Sequence, residues 1–102
     1  MTEATWTALA DPRRRAVLDL LRSGERAVGD VVDALRLSQP QASKHLRVLR
    51  SAGLVQVRKD AQRRLYRLDP RPMADVDAWL APYRQRWNHS LDLLERHLEE
   101  DS

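Results

Sequence analysis

The chain has 102 residues, enough for one domain with one core, and a formal net charge of +3. It has no cysteine, which excludes disulfides, thiolate metal sites and cysteine nucleophiles, and its three glycines are too few for a glycine-rich phosphate loop. No apolar run reaches the length of a membrane span, and the opening MTEATWTALADP lacks the basic-then-apolar order of a signal peptide, so a soluble cytoplasmic protein is expected.

Thr2 or Thr5 is expected to cap a short first helix carrying Trp6 and Leu9, which ends before Asp11-Pro12. Asp11 as N-cap and Pro12 in the first turn start a second helix, with Ala16, Val17, Leu20 and Leu21 as its apolar stripe and Gly24 as its stop. Arg13, Arg14 and Arg15 fall where the helix dipole disfavours cations, a position that either an anion or solvent must relieve. In the run AVGDVVDAL, Gly29 is the expected cap of a third helix, with Val31, Val32 and Leu35 at helical spacing.

Ser38 to Gly53, SQPQASKHLRVLRSAG, is the stretch the rest of the chain is built to present. Ser38 is an N-cap, Pro40 is tolerated in the first turn, and Gly53 closes the helix. Ala42, Leu46 and Leu49 share one face, which leaves Gln41, Ser43, Lys44, Arg47 and Arg50 on the other without a carboxylate. Side chains of this kind donate to base edges and neutralise phosphates, so the reading is a DNA recognition helix. Two short helices joined by so tight a turn form a helix-turn-helix. Charge supports it. Residues 38–68 carry eight bases against Asp60 alone, whereas residues 1–37 balance and residues 69–102 are net acidic.

Beyond Gly53 the period shifts toward 2. Leu54–Arg58 and Arg64–Leu68 are expected strands of a hairpin, with Lys59 to Arg63 as a longer loop because the tip lacks Asn-Gly or Asp-Gly. Arg58, Lys59, Arg63 and Arg64 on this wing are expected to reach the DNA backbone or minor groove. Asp69-Pro70-Arg71-Pro72 ends the second strand. Met73, Val76, Leu80, Tyr83, Trp87, Leu91, Leu94 and Leu98 then recur at steps of three or four residues, an extended helical seam that Pro82 should kink or divide. Such a helix is longer than one small core covers, so a homodimer interface is expected at Trp6, Leu9, Trp79, Tyr83, Trp87, Leu91, Leu94 and Leu98.

The order helix, helix, helix-turn-helix, hairpin, helix resembles the winged helix-turn-helix repressors of the ArsR type. ALADPRRRAVLDLLRSGE, SQPQASKHLRVLRSAGLVQVRKD and RRLYRLDP carry the likeness. The fold class implied is mainly α with a small β-hairpin, homodimeric through the terminal helices. The expected division is one domain over residues 1–102, with dimerisation helices at 1–10 and 71–100, the helix-turn-helix at 29–52 and the wing at 54–68. The resemblance implies a repressor of a palindromic promoter site on double-stranded DNA. It places Gln39, Gln41, Ser43 and Lys44 at base edges or adjacent phosphates and Arg47 at the backbone, with His45 either on DNA or packed instead; Ser38, at the start of the helix, is a further DNA-binding candidate. The family's thiolate pair is absent, Val31-Val32 standing in that region, and His89, Asp92, Glu95 and His97 lack the spacing of its other metal site. No metal or cofactor is therefore expected. The effector is undefined, and the alternatives are a metal-responsive repressor on the same scaffold or a protein-interaction module with an incidental basic surface. No catalytic constellation stands out, so an enzyme is not expected.

Overall fold

The computed structural model describes residues 3–100. Its elements run α1 (Glu3–Ala10), α2 (Pro12–Leu21), β1 (Arg26–Ala27), α3 (Val28–Leu35), α4 (Gln39–Ser51), β2 (Val55–Asp60), β3 (Arg63–Leu68) and α5 (Met73–Glu100). The fold is winged helix-turn-helix. Thr5 is not a cap: it lies within α1 and is buried. Thr2, the other candidate, falls outside the described residues.

Asp11 caps α2 as expected, its carboxylate accepting from the Arg13 backbone N–H at 2.8 Å. The adjacent arginines settle most of their dipole problem on the preceding helix. Arg14 donates from Nε to the Ala8 carbonyl and from Nη2 to the Thr7 carbonyl, each at 2.8 Å, and Arg15 donates to the Leu9 carbonyl at 2.6 Å. These are the last acceptors of α1, so cations unfavourable at one helix start sit at the negative end of another.

Two residues, Arg26 and Ala27, form a strand that the sequence pattern did not announce. They pair with Tyr66 and Leu65, giving a three-stranded antiparallel sheet in the order β1-β3-β2. This pairing holds Ala27 extended and moves the cap of α3 upstream of the expected Gly29. Ala27 has no side-chain acceptor, but its N–H donates to the Asp30 carboxylate at 3.1 Å. Gly29 lies inside the helix.

Both ends of α4 are closed by local chemistry. Ser38 Oγ accepts from the Gln41 N–H, and Gln41 Oε1 accepts in return from the Ser38 N–H, a reciprocal capping box. At the other end the Leu54 N–H donates to the Leu49 carbonyl and the Gly53 N–H to the Arg50 carbonyl, both at 3.0 Å. Gly53 has φ +79, the left-handed conformation this two-bond closure requires. The face read from the sequence is the buried one: Ala42, Leu46 and Leu49 join Val17, Leu18, Leu21, Val31, Leu54 and Val55 in the core.

The wing is tighter than expected. Its strands run to Asp60 and from Arg63, leaving only Ala61-Gln62 as the turn, with Ala61 taking the positive φ of 57° that glycine would otherwise supply. Where the wing returns to the body, Asp69 is buried. Its carboxylate accepts from Arg71 Nε and Nη2, from the Arg71 backbone and from Gln56 Nε2, while its own N–H donates to the Leu54 carbonyl at 2.8 Å. The Arg71 guanidinium, then the Arg71 amide and Gln56, hold this carboxyl well below the ordinary carboxylate range against the opposing effect of burial. A depressed folded-state pKa contributes stability above the unfolded value of about 3.9, and this is lost as pH falls below it. Asp69→Asn is therefore expected to lower the melting temperature at neutral pH, the gap from wild type narrowing below about pH 4. Thermal melts across pH check this; a constant gap would mean that the negative charge is irrelevant.

α5 is continuous through Pro82 and has no buried residue. Pro82 and the residue whose carbonyl loses its donor, Ala78, are both exposed, which leaves that carbonyl open to solvent. An Arg84–Asp77 ion pair at 2.7 Å spans the same turns. The helix leaves the body as an arm. The radius of gyration is 18.3 Å, against about 13 Å for a compact chain of this length, and the longest extent is 63 Å.

Candidate nucleic-acid interface

Packing of α4 on α1, α2 and α3 turns one row outward: Gln39, Gln41, Ser43, Lys44, Arg47 and Arg50 are all exposed. Because Gln41 Oε1 is engaged in the cap, its amide NH2 is the group left to reach outward. Ser38 likewise accepts within the cap and keeps its hydroxyl proton to donate.

His45 lies behind this row. It is 8% exposed, and its buried Nδ1 has no hydrogen-bond partner among the described residues. Burial holds its pKa below the ordinary value, assisted by Arg14, Arg13 and Lys44 and opposed by Asp11, so the neutral ring is favoured. In this structure His45 is buried, within reach of the charges of Asp11, Arg13 and Arg14 at the start of α2.

Strand alternation divides the wing's four bases. Lys59 stands opposite Arg64 in register, on the sheet face shared by Val57 and Tyr66. The other face carries Arg58 and Arg63, and both have carboxylate partners. Arg58 grips Glu25 through two bonds of 2.8 and 3.0 Å, and Arg63 lies 3.9 Å from Asp60. The Arg58 guanidinium holds the Glu25 pKa down, as expected of a fork pairing a carboxylate. Arg58 thereby tethers the wing to the loop after α2, and its charge is largely neutralised. Sequence position alone made these four bases equivalent, and only the register separates them.

Lys59 and Arg64 face α4. Ser43, Arg47, Arg50, Arg64 and Tyr66 line a concavity of about 260 Å³ between helix and wing, which a second of about 310 Å³, bounded by Arg50, Val57, Arg58, Lys59 and Arg64, continues along the strands. No carboxylate lines either. Arg50 was read only as part of the outer face of its helix, yet it joins both hollows. The signal was present in its helical phase, three residues after Arg47.

Comparison with known proteins bears on what such a surface does. The family model of bacterial regulatory proteins of the arsR family matches residues 11–57. An HTH-type transcriptional regulator of Mycobacterium tuberculosis is 44% identical over 72 residues, covering 71% of this chain and 67% of the relative. The transcriptional repressor SdpR of Bacillus subtilis is 30% identical over 84 residues, or 82% of this chain and 93% of the repressor. The chain belongs to the arsR family of bacterial regulatory proteins. Among solved structures, the homodimeric winged helix-turn-helix DNA-binding domain from Mycobacterium bovis superposes with a TM-score of 0.66 at 35% identity, covering 80% of this chain and 76% of that one. These arsR relatives are transcriptional regulators, and regulation of transcription, not enzymatic chemistry, is the function class of the chain. Among the described residues no three His, Cys, Asp or Glu side chains gather as a metal site, and no helix is long and apolar enough to cross a membrane.

The remaining sequence-derived positions lie on α1 and α5. Trp6 meets Trp79 edge-on with ring centroids 5.4 Å apart, and Trp79 meets Tyr83 at 4.9 Å. Leu9 packs partly against the core of its own chain. Trp87, Leu91, Leu94 and Leu98 are 53 to 62% exposed, left uncovered by the described residues.

Proposed function

We propose that this member of the arsR family is a cytoplasmic, homodimeric repressor that occludes a palindromic promoter site in double-stranded DNA. The observation that carries the reading is the carboxylate-free basic groove between α4 and the wing, continuous with the exposed row of α4. In this reading α4 enters the major groove. Gln39, Gln41, Ser43 and Lys44 face base edges or adjacent phosphates, and Arg47, Arg50, Lys59 and Arg64 hold the backbone. Ser38 donates to a phosphate at the start of the helix. Arg63 contributes at the wing tip, while Arg58 serves mainly to brace the wing. The uncovered seam of α5, with Trp6 and Trp79 at its base, joins two copies and sets the spacing of the half-sites.

Selection of bound sequences from random duplex DNA tests this. The expected product is a two-fold symmetric consensus with half-site centres about 10 to 10.5 base pairs apart, or a multiple of that. Its affinity is expected to be indifferent to added zinc. Failure to enrich any sequence would reduce the basic groove to a general polyanion surface and sink the proposal.

A further inference from the structure

A third concavity, of about 220 Å³, opens at the other end of α4 and is lined by Arg13, Ala16, Leu35, Arg36, Leu37 and Gln41. It gathers the first turn of α2, the turn between α3 and α4, and the first turn of α4. Its walls are apolar except for two guanidinium groups and one amide. Neither guanidinium has a carboxylate or hydrogen-bond partner among the described residues; Arg14 and Arg15 are bound to carbonyls of α1, but Arg13 engages Asp11 only through its backbone. Arg36 is held at φ +55, a left-handed conformation that disfavours any residue with a Cβ by about 1 to 2 kcal/mol. That conformation closes the C-terminus of α3, the Arg36 N–H donating to the Val32 carbonyl; the two exposed, unpaired cations on either side of one hollow leave room there for an anion.

We propose that Arg13 and Arg36, with the Gln41 amide, seat one backbone phosphate of the bound DNA. The inference rests on the DNA-binding reading above and adds a contact at the opposite edge of the groove. From Gln41 to Arg50 the helix rises ~13 Å at about 1.5 Å per residue, close to the ~12 Å width of the major groove of B-DNA. The Arg47–Arg50–Arg64 cluster and the Arg13–Arg36 pair thus stand at a separation suited to the two backbones that flank the groove. A helix with cations at only one end is free to tilt; with both ends held, its register on the bases is set.

Salt titration of binding to a duplex carrying one half-site, where a single protomer makes the contacts, by Arg13→Gln, Arg36→Gly and the double variant tests the seat. Glycine accepts the left-handed φ, so Arg36→Gly removes the charge without adding strain. Because one phosphate is shared, the double variant is expected to lower the slope of log K against log salt by about 0.9, roughly 8-fold in affinity at about 0.1 M salt, with each single variant losing less because the remaining guanidinium still neutralises that phosphate. One neutral methylphosphonate linkage per half-site should weaken wild type equally and leave the double variant unaffected. Unchanged affinity and slope in the double variant overturn the seat, and so does a loss near 1.8 units, which would mean two separate phosphates. Inorganic phosphate at constant ionic strength is expected to leave the complex intact; release of wild type but not of the double variant would make the pocket a free-oxyanion site and overturn its role on DNA. If wild type binds no selected duplex, the DNA-binding reading falls and takes the seat with it. If wild type binds and the double variant matches it, only the seat falls.

Discussion

Replacing Arg47, Arg50 and Arg64 together with alanine is expected to lower affinity for an isolated half-site of the selected operator about 500-fold at about 0.1 M salt, and to reduce the slope of log K against log salt by about 2.7, with twice that change in slope on the full two-half-site operator. The reasoning is counterion release: each phosphate neutralised on B-DNA contributes roughly 0.9 to that slope, hence close to a factor of eight at about 0.1 M relative to 1 M salt. These three residues line one concavity, and among the described residues none of them has a carboxylate partner to screen its charge. The loss should be similar on random DNA, because phosphates carry no sequence. Gln39→Ala provides the contrast. If its amide reads a base, it costs about 1 to 3 kcal/mol on the operator and little on random DNA. Arg58→Ala should leave the slope nearly unchanged, since Glu25 already holds that guanidinium at 2.8 Å. Fluorescence anisotropy over a range of salt concentrations reads all of these. An unaltered slope in the triple variant would mean that the groove does not lie on DNA.

The bounds of α2 and α4 were legible because their signals are local: Asp11 before Pro12, Ser38 three residues before Gln41, and Gly53 where a left-handed residue is needed. The buried stripe of Ala42, Leu46 and Leu49 followed from period alone. Arg26–Ala27 was invisible because two residues have no period, and their partners lie about forty positions away at Leu65 and Tyr66. The wing turn was misjudged because Ala61 adopts a positive φ without the glycine that normally announces one. Charges were the hardest to read. A count places eight bases in the middle of the chain, but it does not reveal that Glu25 takes Arg58, or that Arg14 and Arg15 close the carbonyls of α1. Nor does it show that Arg13 and Arg36, far apart in the chain, share one hollow. Partners separated by tens of residues are a property of the packed body, and the register of β2 on β3 was needed to sort the wing's bases by face.

The second large effect is expected on assembly. Leu91→Glu with Leu94→Glu should convert the protein to a monomer at micromolar concentration and lower affinity for a two-half-site operator by roughly 10²- to 10⁴-fold, while binding to an isolated half-site changes little. Trp87, Leu91, Leu94 and Leu98 expose half or more of their surface along one seam, and contiguous apolar surface of that extent is uncommon on a chain that remains alone in water. At roughly 25 cal/mol per Å², covering one such seam with another is favourable, whereas two carboxylates at its centre would be desolvated without partners. The pattern of steps, Tyr83, Trp87, Leu91, Leu94 and Leu98, keeps the seam on one side of the helix for its whole free length, as a helix-to-helix contact requires. None of these side chains contributes to the described core, so the substitutions leave the winged body intact and the monomer should retain its half-site contacts. Trp87→Ala is the milder form, moving the equilibrium toward monomer without introducing charge. Sedimentation equilibrium paired with binding to full and half operators separates the outcomes. A double variant that still sediments as a dimer would place the interface elsewhere. One that becomes monomeric yet holds the full operator as tightly as wild type would mean that the two half-sites are read independently.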